Sequence, residues 1–131
     1  MKAFQQDELN SAAIYAHFAH CDKDKKNCQV LQQIANDEAH HATVWKKYTG
    51  KHMQPNMLKV WWFRILTYLL GYTFVIKLLE LHEYEGIKGL EELKKEIPEV
   101  EDIIKDETKH EKQLIDMLDE ERLNYIGAMV L

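Results

Sequence analysis

The sequence predicts an all-α protein: a four-helix bundle made of two antiparallel helical hairpins, with a crossover helix between them. Three observations carry this. Turn formers are scarce, with 5 Gly and 2 Pro in 131 residues. Apolar residues recur at spacings of three and four along several long stretches, the period of a helix with one buried face. The pattern Ile-x-x-Asp-Glu-x-x-His occurs twice, over Ile34–His41 and Ile103–His110. A Glu and a His three apart lie on one helix face. Two such helices, with one carboxylate from each of two others, form the donor set of a dinuclear carboxylate site inside a bundle. One Glu-x-x-His is weak, because chance supplies many. Two copies that share the Asp and the Ile, on separate helical segments, are a specific signal.

The first helix is predicted from Phe4 to His20, with Phe4, Glu8, Ser11, Tyr15 and Phe18 on its inner face. The polar stretch Cys21–Lys26 is the turn. A second helix follows from Lys25 to Tyr48, with Val30, Leu31, Ile34, Glu38, His41 and Trp45 on one face and Gly50 closing it. Glu38 and His41 interrupt an apolar stripe. A charge in that position costs free energy unless it is paired or bound to metal. Residues Lys51–Asn56, with Pro55, read as a loop. A short crossover helix is predicted over Met57–Leu69, a break at Gly71, and a third bundle helix over Tyr72–Lys94. Pro98 is expected in the first turn of the fourth, a favoured position for proline. That helix carries Val100, Ile103, Ile104, Glu107, His110, Leu114, Met117 and Leu118 on one face and reaches Arg122 or beyond.

Val60–Leu79 is apolar enough to raise the question of a membrane span. A span would put the two Glu-x-x-His motifs on opposite sides of a bilayer, where they could share no site, so the crossover reading is preferred. The second helix is roughly 35 Å long at 1.5 Å per residue. A twelve-residue helix plus a seven-residue extended stretch reaches about 40 Å, enough to return along the bundle. Trp61, Trp62, Phe63 and Tyr68 would then cover the bundle side or a subunit interface. An apolar patch of that size predicts a homodimer, with hairpins that could be exchanged.

Composition suits one helical domain, with 46% hydrophobic and 30% charged residues. The net charge of −5, with no basic block, excludes nucleic acid as an expected partner. Cys21 and Cys28 flank the first turn without forming Cys-x-x-Cys, and are expected as reduced thiols. Asp7 and Glu8 interrupt any apolar run near the start, so a cytoplasmic setting is expected.

The predicted metal ligands are Glu8, Glu38, His41, Glu107 and His110, with Glu80 and Glu83 both open on the third bundle helix. Glu83 matches the depth of Glu107 best, and Glu80 lies one turn away on the same face. Carboxylate oxygens and imidazole nitrogens suit two iron ions or manganese, with zinc a competitor. Asp37 and Asp106 could each accept a hydrogen bond from the His ring of the other motif and fix its orientation; the competing reading is a solvated Asp beside a buried Glu. Tyr15, two turns along from Glu8, is the candidate for a catalytic redox role, against an ordinary buried tyrosine. A helical bundle with buried Glu–His pairs and no metal is the structural alternative, though buried ion pairs are weak devices for stability.

The set Glu8, Glu38-x-x-His41, Glu80 or Glu83 and Glu107-x-x-His110 resembles the rubrerythrin family of ferritin-like proteins. In particular it is similar to the rubrerythrin-like domain fused to the N-terminus of vacuolar-iron-transporter-type membrane proteins. The stretches DEAHHATVWKKYTGK, LLGYTFVIKLLELHE, KEIPEVEDIIKDETKHE and LDEERLNYIGAMVL carry the resemblance, which covers nearly the whole chain. It implies a ferritin-like four-helix bundle over residues 1–124, two bound irons, and oxidation of Fe(II) with oxygen or peroxide. It also implies handling of iron for a linked transporter. The alternative function is a non-catalytic module that senses metal or passes it on. The paired Cys-x-x-Cys of a rubredoxin-like domain is absent, so an external electron donor is expected. The apolar run Tyr125–Leu131 is expected to begin a transmembrane helix that tethers the domain to a membrane.

Overall fold

Helices account for all the regular structure among the described residues. The structure is a computed structural model that describes residues 1–21 and 24–130; the side chains of Cys21, of Tyr72 and of residues 121–130 lie outside the description. The chain divides into two units, Met1–Ile65 and Leu66–Leu131.

In the first unit, α1 (Lys2–Cys21) and α2 (Lys25–Thr49) form a hairpin. Asp24 starts α2: its side chain accepts from the backbone N–H of Lys26 at 2.8 Å. Such a cap satisfies donors that the first helical turn leaves open. Gly50 ends α2 in the left-handed region, φ 66°, and its N–H donates to the Lys46 carbonyl. The contacts give the direction of the pair: Phe4 stacks on Trp45 with centroids 5.1 Å apart, while Glu8 lies against His41. Partners that descend along one helix as they ascend along the other make the hairpin antiparallel. Ile14, Tyr15, Phe18, Leu31, Ile34 and Trp45 fill its core. Full burial of each such side chain stabilises by about 1.5–3 kcal/mol relative to exposure. Phe4 and Val30, expected inside, are only half-buried.

The 51–56 connection then runs along α1. Gln5 Nε2 donates to the Lys51 carbonyl at 2.8 Å, Gln6 Nε2 to the Gln54 carbonyl at 3.0 Å, and Asn56 N–H donates to Asn10 Oδ1 at 2.7 Å. Buried Gln5 and Asn10 thus satisfy backbone that forms no helix of its own. From there α3 (Met57–Leu70) begins. Its Arg64 is close enough to His17 to act on it: burial first, then Arg64 and His20, hold that imidazole below its ordinary pKa. Gly71, at φ 94° and ψ 158°, breaks the apolar stretch as expected, in a conformation that L side chains rarely adopt. None of the described helices is long and apolar enough to cross a membrane.

In the second unit, α4 (Tyr72–Glu91) packs against α5 (Val100–Val130). Val75, Ile76, Leu79, Leu90, Val100, Ile103 and Leu114 are buried there. Two expectations need correction. Helix α4 stops at Glu91 rather than Lys94, because the Leu93 N–H donates to Leu90 at 3.0 Å and tightens the last turn. Pro98 does not open α5, which begins at Val100 with Glu99 accepting from the Ile103 N–H at 3.1 Å. The turn between the helices is tied by Ile97 N–H to Leu93 at 3.1 Å, and a residue before proline is held out of the helical region. Helix formation therefore resumes only after Pro98. Ile104 and Leu118, expected inside, are half-buried. The helix continues to Val130, and the side chains of the 125–131 run, where a transmembrane helix was expected to begin, lie outside the described residues.

Candidate metal centre

Each unit holds one buried triad. In the first, α1 supplies Glu8 and α2 supplies Glu38 and His41, with one donor atom from each within 4.8 Å of the others. In the second, α4 supplies Glu83 and α5 supplies Glu107 and His110, within the same 4.8 Å. Each triad is one Glu from a lone position and one Glu-x-x-His pair from the neighbouring helix. No member is more than 7% exposed, and His110 is fully covered.

The close distances are lopsided. His41 Nδ1 lies 3.5 Å from Glu8 Oε2, and His110 Nδ1 lies 4.0 Å from Glu107 Oε2. A separation of 3.5 Å is an ion-pair distance but a poor hydrogen bond. Glu8 Oε2 accordingly makes no hydrogen bond, although water does not reach it. A buried carboxylate oxygen in that condition costs several kcal/mol unless a cation or donor meets it. Two ionised carboxylates about 5 Å apart add a repulsion of about 3 kcal/mol at an effective dielectric of 20. Each triad carries two carboxylates and one imidazole, so a divalent cation offsets both costs. Two or three oxygen donors and one nitrogen are a fitting donor set for iron, manganese or zinc.

The walls come from the same helices. One turn beyond His41 on α2 and one turn before Glu8 on α1, the stacked Trp45 and Phe4 rings close that side of the first triad. Leu114, four residues after His110 on α5, is fully buried.

The structure separates the two glutamates that sequence left open. Glu83 joins Glu107 and His110. Glu80 is equally buried, but its Oε2 is 2.8 Å from Lys77 Nζ and it belongs to neither triad. The signal that distinguishes them is in the sequence: Lys77 stands three residues before Glu80, at ion-pair spacing on a helix. Tyr15 is buried on α1, on the face that carries Glu8. Asp37 and Asp106 are half-buried, and Asp37 accepts from Gln33 Nε2 at 2.9 Å along its own helix. Gln5 and Asn10 are the buried polar residues of α1 that sequence reasoning passed over; each is tied to the 51–56 connection. No protein-family model, no curated protein and no solved structure matches the chain.

Proposed function

We propose that this is a rubrerythrin-like di-iron domain, in which the two triads are halves of one dinuclear centre that oxidises Fe(II) with peroxide or oxygen. The observation that carries the proposal is the duplication: two buried triads of the same composition, each built on Ile-x-x-Asp-Glu-x-x-His. In this reading Glu8, Glu38, His41, Glu83, Glu107 and His110 would hold the metal, the carboxylates balancing its charge and the two imidazoles adding nitrogen donors. Bound there, two Fe(II) ions supply two electrons, which with two protons reduce one hydrogen peroxide to two waters. The residues do the rest. The carboxylates would balance the charge of the bound metal, and the apolar side chains beside them would exclude water and so strengthen every charge interaction inside. Tyr15 is the candidate for a buried proton or electron relay. An electron donor would return the centre to its reduced state between turnovers.

The fit of the donor set also supports a non-catalytic module that receives iron and passes it to a transporter. Both readings are tested by one experiment. Metal-free protein is loaded with Fe(II) without oxygen, its metal content is measured, and it is mixed with peroxide in a stopped-flow spectrometer. Catalysis predicts two irons per chain, a fast diferric absorbance and repeated turnover with a reductant. Slow, single-turnover oxidation of stoichiometric iron supports delivery instead, and absence of tight iron binding sinks both.

A further inference from the structure

Helix α3 wears its apolar stripe on the outside. Leu58, Trp61, Trp62, Ile65, Tyr68 and Leu69 follow the three-and-four spacing that gathers side chains into an arc of roughly 120°. On a helix docked against a core, that arc would be covered. Here Trp61 and Trp62 are 57% and 55% exposed, Leu58 74% and Tyr68 91%, while Ile65 alone of the stripe is half-buried. The opposite face is the covered one: Val60 is buried, and Phe63 and Thr67 are half-buried. Lys59 and Arg64, both exposed, stand on the two margins of the outward stripe, roughly 100° to one side of Leu58 and 120° to the other.

The charge pattern singles out the same region. The chain has a net charge of −5, yet no Asp or Glu occurs anywhere from Ala39 to Leu79, where Lys46, Lys47, Lys51, Lys59, Arg64 and Lys77 all fall. An acidic chain with no carboxylate along the stretch of sequence that carries its exposed aromatic stripe offers basic and apolar side chains there that suit an anionic partner.

We propose that α3 is a membrane-surface helix, which lies in the plane of an anionic lipid bilayer with Trp61 and Trp62 at the level of the headgroups. Tryptophan and tyrosine favour that depth because their rings are apolar with one polar edge. Lys59 and Arg64 reach lipid phosphates from the margins while their alkyl stems lie on the apolar boundary. Helices with a strong apolar face and basic flanks bind membranes in this way without spanning them. The fourteen residues of α3 make about 21 Å of helix, short of the bilayer core. A second copy of the chain suits the stripe less well. A symmetric contact through one patch sets the same basic margins against each other, and like charges across an interface disfavour it.

The test is flotation of the full chain with vesicles of phosphatidylcholine and phosphatidylglycerol, 3:1, against vesicles of phosphatidylcholine alone. Binding is expected to the anionic vesicles, with a blue shift in tryptophan fluorescence. A Lys59→Glu/Arg64→Glu variant should bind at least about twentyfold more weakly, each lost cation being worth about fivefold. Trp61→Ser/Trp62→Ser should also lose binding. Both variants change only outward side chains and should keep wild-type helicity and metal content, which separates this inference from the fate of the metal site. No binding by the wild type overturns it. So does undiminished binding by both variants, which would place the lipid contact elsewhere in the chain. A dimer seen by sedimentation that the tryptophan variant abolishes, without vesicle binding, would give the stripe to a second copy.

Discussion

Glu80 and Glu83 are one helical turn apart, equally buried, and chemically identical, yet their surroundings differ. Lys77 already neutralises Glu80 at 2.8 Å, while Glu83 lies with Glu107 and His110. Glu83→Gln should therefore abolish tight metal binding in its half of the centre. The same change removes a buried like-charge contact, so the metal-free protein should gain roughly 1–3 kcal/mol of stability. Glu80→Gln should leave metal content intact and expose Lys77 to solvent without a partner. Elemental analysis with thermal melts of the metal-free forms separates the two; equal metal loss in both variants would return Glu80 to the ligand set. The aspartates before Glu38 and Glu107 are tested by affinity rather than content. If Asp37 and Asp106 orient the imidazoles, Asp→Asn at either should weaken metal binding by about 10–100-fold with the fold unchanged. Unaltered affinity in both would make them ordinary polar surface, as the Gln33–Asp37 hydrogen bond along α2 already allows for one of them.

The helices themselves depend on a few residues at their ends. Asp24 caps α2 through the Lys26 N–H, and Asp24→Ala should cost about 1 kcal/mol. Gly50 has open space where a Cβ would go, so Gly50→Ala meets no clash; its cost is the left-handed backbone alone, about 1–2 kcal/mol. Urea titrations of the metal-free protein read both, and a Gly50→Ala variant as stable as wild type would contradict the strain argument. The stop at Gly50 was legible in the sequence, as were the paired Glu-x-x-His motifs and the break at Gly71, because each is a local pattern with one physical cause; Asp24 was read only as part of the polar turn. Pro98 was misplaced because its preference for a first turn competed with its restriction of Ile97, which is buried and held by its N–H bond to Leu93. Depth along the helix already favoured Glu83 in the sequence, and the further signal, Lys77 at ion-pair spacing before Glu80, was legible there but not weighed. The aromatic patch on α3 was expected to be too large for one thin bundle to bury, and Trp61, Trp62 and Tyr68 are indeed exposed. Phe63, grouped with them, is half-buried on the opposite face, because the group was read from its composition and not from helical angle.

At the scale of the molecule, the two units are of nearly equal length, and each contributes one lone Glu and one Glu-x-x-His. Separate mononuclear sites and one shared dinuclear site predict different behaviour when either unit is altered. With separate sites, Glu38→Ala empties only the first triad and leaves one equivalent of metal with Glu83, Glu107 and His110. With a shared centre, Glu38 and Glu107 each hold both ions, so Glu38→Ala or Glu107→Ala alone should remove both equivalents. Stability gives an independent reading. A ligand that binds only the folded form stabilises by about 2.7 kcal/mol at a hundredfold excess over its dissociation constant. If the metals tie the two units together, that gain is common to both, and calorimetry with Mn(II) should show one transition that moves to higher temperature as metal is added. In either glutamate variant the transition should lose its metal dependence altogether. A Glu38→Ala protein that keeps one metal equivalent, with a metal-dependent melt confined to the Leu66–Leu131 unit, would establish two independent sites and end the case for a dinuclear centre.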